Sequence, residues 1–187
     1  MIDKSIFREY DIRGIVPEQI NEYSIKAIAS AISAKCHEEE VNELALGRDG
    51  RLSGSEILNS LSQELRLLGI KIVNVGVVTS PLLYFAAKKL NSKSGVMITG
   101  SHNPKNYNGF KIVINDSPVS GTEMLGLISS ERIHSTDAGS EIVKEDLMDE
   151  YIAEVIAQAS NSSKEIKVVV DCGNGSAGEI APRLMRA

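Results

Sequence analysis

A polar loop between two apolar segments holds the residues of this 187-residue chain that are best suited to chemistry. Ser101 supplies a hydroxyl, His102 an imidazole, and Lys111 a cation just inside the second apolar segment. Turn-forming residues surround them, and Pro104 and the glycines, Gly109 among them, can fix a backbone that presents Ser101 to a ligand. Long ordered loops between strands are often functional, so this loop is the first candidate for a site.

The residues around Ser101 exclude one common use of a reactive serine. A hydrolase nucleophile elbow has glycines two residues to either side of the serine, where this chain has Thr99 and Asn103. Asn103 is predicted to shape the loop through hydrogen bonds to nearby backbone. A Ser-His pair in such a loop can also be turn chemistry alone, so these residues by themselves leave the role of the loop open.

Two predicted strands carry this loop, and the rest of the chain alternates strands with helices. Branched and aromatic residues predict strands at 44–47, 70–73, 96–98 and 110–114. Apolar periodicity and capping residues, including a capping box formed by Ser53 and Glu56, predict helices at 21–36, 53–68, 80–90, 121–133 and 146–159. This alternation predicts an α/β fold: a three-layer α/β/α domain with a mixed, mostly parallel sheet between helices.

A second unit is expected to begin near the carboxyl end. The polar run at 160–164 has the composition of a linker, and it is followed by a predicted strand at 166–170, a glycine-rich turn and a helix. We therefore expect a first domain at 1–159, with a linker and the truncated start of a similar domain at 160–187. An unpaired apolar strand exposes backbone donors and acceptors, so the tail should pair with an edge of the first domain or associate with a second molecule.

Composition narrows the class of protein. The chain is 42% hydrophobic and 24% charged, which is ordinary for a globular protein, and its net charge of −5 without a basic tract argues against nucleic-acid binding. We see no signal peptide and no apolar stretch of membrane-spanning length. Cys36 and Cys172 lie far apart and form no metal-type pair, so free thiols in a cytoplasmic protein are the simplest interpretation.

The glycine-rich turn at 173–178, Gly-Asn-Gly-Ser-Ala-Gly, resembles a dinucleotide-binding fingerprint, since it follows a predicted strand and opens a helix. Two features disagree with that interpretation. Asp171 and Cys172 stand between the strand and the first glycine, and the sequence ends before the acidic residue expected about 20 positions further on.

Three motifs together resemble one enzyme family. Thr-Gly-Ser-His-Asn-Pro at 99–104, followed by Asn-Gly-Phe-Lys at 108–111, is similar to the phosphoserine loop of the α-D-phosphohexomutases. Phe-Arg-Glu-Tyr-Asp-Ile-Arg-Gly at 7–14 resembles the amino-terminal signature of the phosphomannomutase/phosphoglucomutase branch, and Gly-Arg-Asp-Gly-Arg at 47–51 also fits. The resemblance covers nearly the whole chain. Family members have four domains, so it implies the first domain and the start of the second.

The resemblance implies a role for each residue of the loop. Ser101 would carry the phosphoryl group that moves between O1 and O6 of mannose or glucose phosphate, through a hexose 1,6-bisphosphate intermediate. Lys111 would be a general acid or base, or else a strand lysine that reaches solvent. His102 is a second proton carrier, or an orienting or surface residue.

Residues of the other two motifs are expected near the substrate or in a structural role. Arg13 would face the active cleft, where its planar fork suits phosphate oxygens, with Tyr10 beside the substrate. The alternative for Arg13 is a surface ion pair with Asp11 or Glu9. Two further arginines of the third motif are expected to be structural; these are Arg48 and Arg51.

The resemblance also implies cofactors and alternatives. Mg²⁺ would be held by an aspartate-rich loop that this sequence lacks, and the Ser101 phosphate would be the one ligand from this chain. A hexose 1,6-bisphosphate would act as the phosphorylating activator. The fragment alone is therefore expected to be inactive on hexose phosphates. Phosphoglucosamine mutase is the alternative within the class. Outside it stand a dinucleotide-binding oxidoreductase fragment and a phosphoacceptor module without turnover.

Overall fold

A seven-stranded mixed sheet forms the middle layer of the computed structural model, which describes residues 2–128, 142–159 and 166–186. The strands are β1 (Ile12–Ile15), β2 (Glu43–Arg48), β3 (Lys71–Val77), β4 (Gly95–Ile98), β5 (Tyr107–Ile114), β6 (Ser117–Val119) and β7 (Val143–Lys144). The helices are α1 (Glu22–Glu38), α2 (Gly54–Leu67), α3 (Ser80–Lys89), α4 (Gly121–Leu127), α5 (Met148–Gln158) and α6 (Ala177–Arg186), after a short 3₁₀ turn at Lys4–Ile6.

The strand order places the serine-bearing loop beside the end of a neighbouring strand. The order is β1-β5-β4-β2-β3-β7, with β6 paired to β5. Strands β4, β2, β3 and β7 are parallel, whereas β1, β5 and β6 run antiparallel to their neighbours. Parallel strands β2 and β4 end at the same edge of the sheet. The segment after β2 therefore meets the segment between β4 and β5, which we call the serine loop (residues 99–106).

Helices cover both faces of the sheet, which confirms the predicted three-layer architecture. Side chains alternate along each central strand, because successive residues of a strand point to opposite faces. Leu44 and Leu46 of β2 join one core, and Ala45 between them joins the other. The first core contains residues of α1, α2 and α4, and the second contains residues of α3, α5 and α6.

The predicted capping box at the start of α2 is wrong. Ser53 is the residue before the helix, but it has helical backbone angles and its side chain makes no capping hydrogen bond. Its hydroxyl instead accepts a hydrogen bond of 3.0 Å from the side-chain amide of Asn108 in β5. A capping box does form at the start of α1, where Asn21 and Ser24 bond reciprocally. Ser53 therefore anchors the base of the serine loop rather than the helix.

The strand predicted at 166–170 is absent from the described residues. The segment has no regular secondary structure, and Val169 is 98% exposed. β7 pairs with the outer edge of β3 through Val143 and Lys144, and the segment 166–170 pairs with no strand of the sheet in the described residues. The expected pairing of the tail with an edge of the first domain therefore does not occur in the described part of the chain.

The helix predicted after that segment is present as α6, and it packs on the second core. Ile180 is 4% exposed and lies in the same cluster as Ile152 of α5. Arg183 forms an ion pair with Asp149 at the start of α5. The end of the helix predicted at 121–133 and the linker at 160–164 lie outside the described residues. Among the described helices, none is long and apolar enough to cross a membrane.

Candidate active site

Ser101 stands at an exposed turn of the serine loop with its backbone in the left-handed region, at φ +53°. A non-glycine residue adopts this conformation only when its surroundings hold it there. The Ser101 N–H donates to the hydroxyl of Thr99 at 2.9 Å, and that hydroxyl donates to a carboxylate oxygen of Asp49 at 2.7 Å. Asp49 follows β2, so the neighbouring strand fixes the backbone of the candidate nucleophile.

Arg51 binds the backbone of the serine loop through its guanidinium. Its guanidinium donates to four backbone carbonyls, those of Ser101 (2.9 Å), Asn103 (2.6 Å), Pro104 (2.6 Å) and Tyr107 (2.9 Å). Its Nε lies 3.3 Å from the Asp49 carboxylate. These contacts give Arg51 the structural role that the sequence predicted for it.

The close approach of this guanidinium requires glycine at position 100. A Cβ on Gly100 would lie 2.5 Å from Nε and 2.8 Å from Nη1 of Arg51. Real Cβ atoms do not make such contacts, so a side chain here would push the guanidinium away from the loop. The sequence Thr-Gly-Ser alone does not show that glycine is required here.

Arg13 connects the first strand of the sheet to the serine loop. It donates through Nη1 to the side-chain oxygen of Asn103 at 2.8 Å, and through Nε to Asp11 at 2.8 Å. The ion pair with Asp11 that was one alternative for Arg13 is therefore present, but it sits against the loop rather than at a free surface. The role predicted for Asn103 is corrected, because its side-chain oxygen accepts from Arg13 instead of from nearby backbone.

Asp11 is a site residue that the sequence interpretation missed. One of its carboxylate oxygens accepts from Arg13 and also lies 3.2 Å from the ammonium of Lys111. Asp11 is only 5% exposed, so this single buried oxygen holds two cations together. The pairing depends on the antiparallel register of β1 and β5, in which Ile12 faces Phe110, and a linear sequence does not show that register.

Two of the remaining candidates, Tyr10 and His102, are exposed. Tyr10 is 79% exposed. His102 lies beside the nucleophile, and its Nδ1 is 3.4 Å from the Ser101 hydroxyl, a long contact for a hydrogen bond. At the two residues predicted to shape the loop, the Pro104 carbonyl accepts from the Tyr107 N–H at 3.0 Å, and the Gly109 carbonyl accepts from the Thr99 N–H at 3.0 Å.

A cleft of about 720 Å³ opens over the serine loop. Ser101, Asn103 and Lys105 line one side, the 49–52 segment lines another, and the glycine-rich turn at 173–176 lines a third. Described residues of the amino-terminal motif do not line this cleft; Arg13 reaches it only through Asn103. The structure thus brings the serine loop and the glycine-rich turn together and leaves Tyr10 to one side.

The glycine-rich turn lacks the context of a dinucleotide site. That fingerprint needs a strand directly before the turn, and residues 166–170 form none. The described residues also form no cluster of metal ligands. Within the described ranges, no group of three or more histidine, cysteine, aspartate or glutamate side chains could hold a metal ion, so the residues present do not by themselves fit Mg²⁺.

Comparison with known proteins defines the family. The family model of phosphoglucomutase/phosphomannomutase, alpha/beta/alpha domain I, matches residues 4–137. The chain therefore belongs to this family, and its serine loop and strands β1 to β6 lie in the matched part.

Individual relatives match over the whole chain. A phosphomannomutase/phosphoglucomutase of Pseudomonas syringae pv. tomato is 42% identical over 100% of this chain and 40% of its own length. A phosphoglucomutase of Neisseria gonorrhoeae is 38% identical over 99% of this chain and 41% of its own. A crystal structure of a phosphoglucomutase/phosphomannomutase family protein from Burkholderia thailandensis is 33% identical, with a TM-score of 0.89, over 100% of this chain and 42% of that one. The chain thus spans about two fifths of the length of these relatives.

Proposed function

We propose that this chain is the amino-terminal, phosphoserine-bearing part of a phosphohexomutase that interconverts hexose 1-phosphate and hexose 6-phosphate. The observation that carries the proposal is Ser101 itself. Its exposed hydroxyl sits on a backbone held in the left-handed region, at the edge of a cleft, in a chain of the phosphoglucomutase/phosphomannomutase family. The names of the relatives make mannose and glucose phosphates the substrates to test, with glucosamine phosphate as the alternative within the class.

The chemistry is two phosphoryl transfers through one serine. The bond between phosphorus and the Ser101 oxygen breaks as a bond to a sugar hydroxyl oxygen forms. The hydroxyl proton passes to a base, and the Ser101 oxygen takes up a proton as it leaves. The resulting hexose bisphosphate turns in the site and returns its other phosphoryl group to Ser101. Phosphoryl transfer depends mainly on positioning and on charge neutralisation. We assign proton transfer to Lys111 and His102, phosphate binding to Arg13, and substrate contact to Tyr10.

The proposal extends to cofactors and to the parts of the chain. Mg²⁺ would take one oxygen from phospho-Ser101 and its other ligands from outside these residues, and hexose 1,6-bisphosphate would prime the serine. We place the domain division at 1–159 and 160–187 and the enzyme in the cytoplasm. The exposed apolar run at 166–170 would be covered by the rest of a second domain or, in the isolated fragment, by a second copy.

Phosphopeptide mapping tests the nucleophile. The complete encoded protein that contains this chain is incubated with glucose 1,6-bisphosphate and Mg²⁺, and the modified peptide is identified by mass spectrometry. We expect phosphate on Ser101, and a loss of mutase turnover by several orders of magnitude in Ser101→Ala. Ser80→Ala is the matched control, because Ser80 lines the same cleft and should keep both properties.

The outcomes separate the alternatives. Phosphate on Ser80 or Ser176 with none on Ser101 would contradict the assignment. Stable phosphate on Ser101 without turnover of any hexose phosphate would favour the phosphoacceptor module. Reduction of a nicotinamide cofactor without phosphorylation would favour the oxidoreductase alternative.

A further inference from the structure

Four of the five N–H donors of the Arg51 guanidinium form hydrogen bonds within the protein, and the fifth lies in an ion pair. An arginine side chain carries five such donors. Four go to backbone carbonyls of residues 101 to 107, and the fifth faces the Asp49 carboxylate. The guanidinium therefore has no donor left for a phosphate oxygen, although it lines the cleft beside Ser101.

These contacts fix the part of the loop that carries the nucleophile. The Ser101 carbonyl binds Arg51, and the Ser101 N–H binds Thr99, which in turn binds Asp49. Both peptide groups that flank the Ser101 Cα are thus tied to one segment, residues 49–51. The Asn103 carbonyl is held as well, while the Asn103 side chain accepts from Arg13.

We propose that Arg51 is a positioning residue for phosphoryl transfer at Ser101, acting through the backbone of the serine loop and not by contact with substrate. The proposal rests on the function proposed above for Ser101. Phosphoryl transfer needs an in-line approach of the attacking oxygen, and a displacement of about 1 Å can cost about a hundredfold in rate. Lysine at this position keeps the charge but cannot bind four carbonyls and a carboxylate in one plane.

The test is Arg51→Lys in the complete encoded protein. We expect kcat to fall about a hundredfold. The Kd of glucose 1-phosphate for the unphosphorylated enzyme, measured by calorimetry, should stay within about threefold of the wild type, because no donor to substrate is lost. Arg66→Lys in α2, remote from the loop, is the matched control and should leave both values unchanged. A large rise in Kd would overturn the proposal by making Arg51 a ligand of the substrate.

A second variant protects the test from a folding failure. Gly100→Ala keeps Arg51 but places a Cβ against its guanidinium, so kcat should fall by a similar factor. In the double variant with Arg51→Lys the two losses should be clearly less than multiplicative, because both act on one contact. Folded Arg51→Lys and Gly100→Ala proteins with wild-type kcat would overturn the proposal. Wild-type turnover in Ser101→Ala would instead refute the function of Ser101, independently of Arg51.

Discussion

Asp11 offers the sharpest prediction about how the site is held together. One of its carboxylate oxygens lies 2.8 Å from Nε and 2.7 Å from Nη2 of Arg13, and 3.2 Å from Nζ of Lys111. The substitution Asp11→Asn keeps an oxygen of similar size at this position and removes its charge. Two partly buried cations would then face each other without a counter-ion.

The magnitude follows from the contacts. A hydrogen bond to a charged partner is worth about 1.5–3 kcal/mol, against about 0.5–1.5 kcal/mol for a neutral one. Arg13 makes two such bonds with only 13% of its side chain exposed, whereas Lys111 makes one and is 30% exposed, so solvent screens its share. We expect the free energy of unfolding to fall by about 2–3 kcal/mol. For a chain of this size that is a fall in Tm of about 4–12 °C.

Urea unfolding of the 187-residue chain, followed by circular dichroism, measures this quantity. Asp116→Asn is the control with the same chemical change, because Asp116 is half exposed and lies 3.9 Å from an exposed Lys88; an exposed pair contributes about 0–1 kcal/mol. Equal losses in the two variants would refute the reasoning, because burial of the shared oxygen would then have no energetic consequence. Added salt should narrow the Asp116 difference more than the Asp11 difference.

Two further predictions concern the packing of the same domain. Gly109→Ala should lower the free energy of unfolding by about 2–4 kcal/mol, because a Cβ there would lie on the backbone oxygen of Ile12. Gly50→Ala is the control and should be nearly neutral, because the space around Gly50 is open. Equal effects of the two substitutions in a denaturant titration would contradict this prediction. Burial raises the pKa of Cys36 from 9.0 to about 12, so above pH 9 only the unfolded state releases this proton and stability falls as pH rises. The loss of unfolding free energy between pH 8 and pH 10 should be about 1.4 kcal/mol smaller in Cys36→Ala, and an identical loss would show that Cys36 does not titrate on unfolding.

The architecture was predictable because helix periodicity and strand composition depend on residues that are close together in the sequence. The apolar periodicity of α1 and α2 and the branched residues of β4 and β5 read the same in a linear sequence as in the fold. The prediction of a capping box at Ser53 failed for a non-local reason, since the side-chain amide of Asn108, 55 residues away, donates a hydrogen bond to the Ser53 hydroxyl. The strand predicted at 166–170 failed as well: its composition suits a strand, but the segment pairs with no strand of the sheet in the described residues.

The candidate site was only partly predictable. The loop was predicted from its turn-forming and reactive residues, and the role of its serine from a resemblance. The contacts of Arg51 agree with its predicted structural role. The shared oxygen of Asp11 could not be foreseen, because it requires β1 to lie antiparallel to β5 in one register. The proximity of the glycine-rich turn to Ser101 also depends on tertiary packing, in which Ile180 seats α6 against the second core.

Two arginines bind the serine loop, and the strands that they belong to or follow lie in different positions of the sheet. Arg51 belongs to the segment after β2, a central strand with a parallel neighbour on each side. Arg13 belongs to β1, an edge strand of four residues whose sheet partner is β5. The close approach of those strands at Gly109 brings Asp11 within reach of Lys111, so the cations of the site depend on the packing of an edge. Because edge strands open more readily than central ones, we expect the contacts of Arg51 to persist when β1 opens locally, and the contacts of Arg13 and Asp11 to be lost.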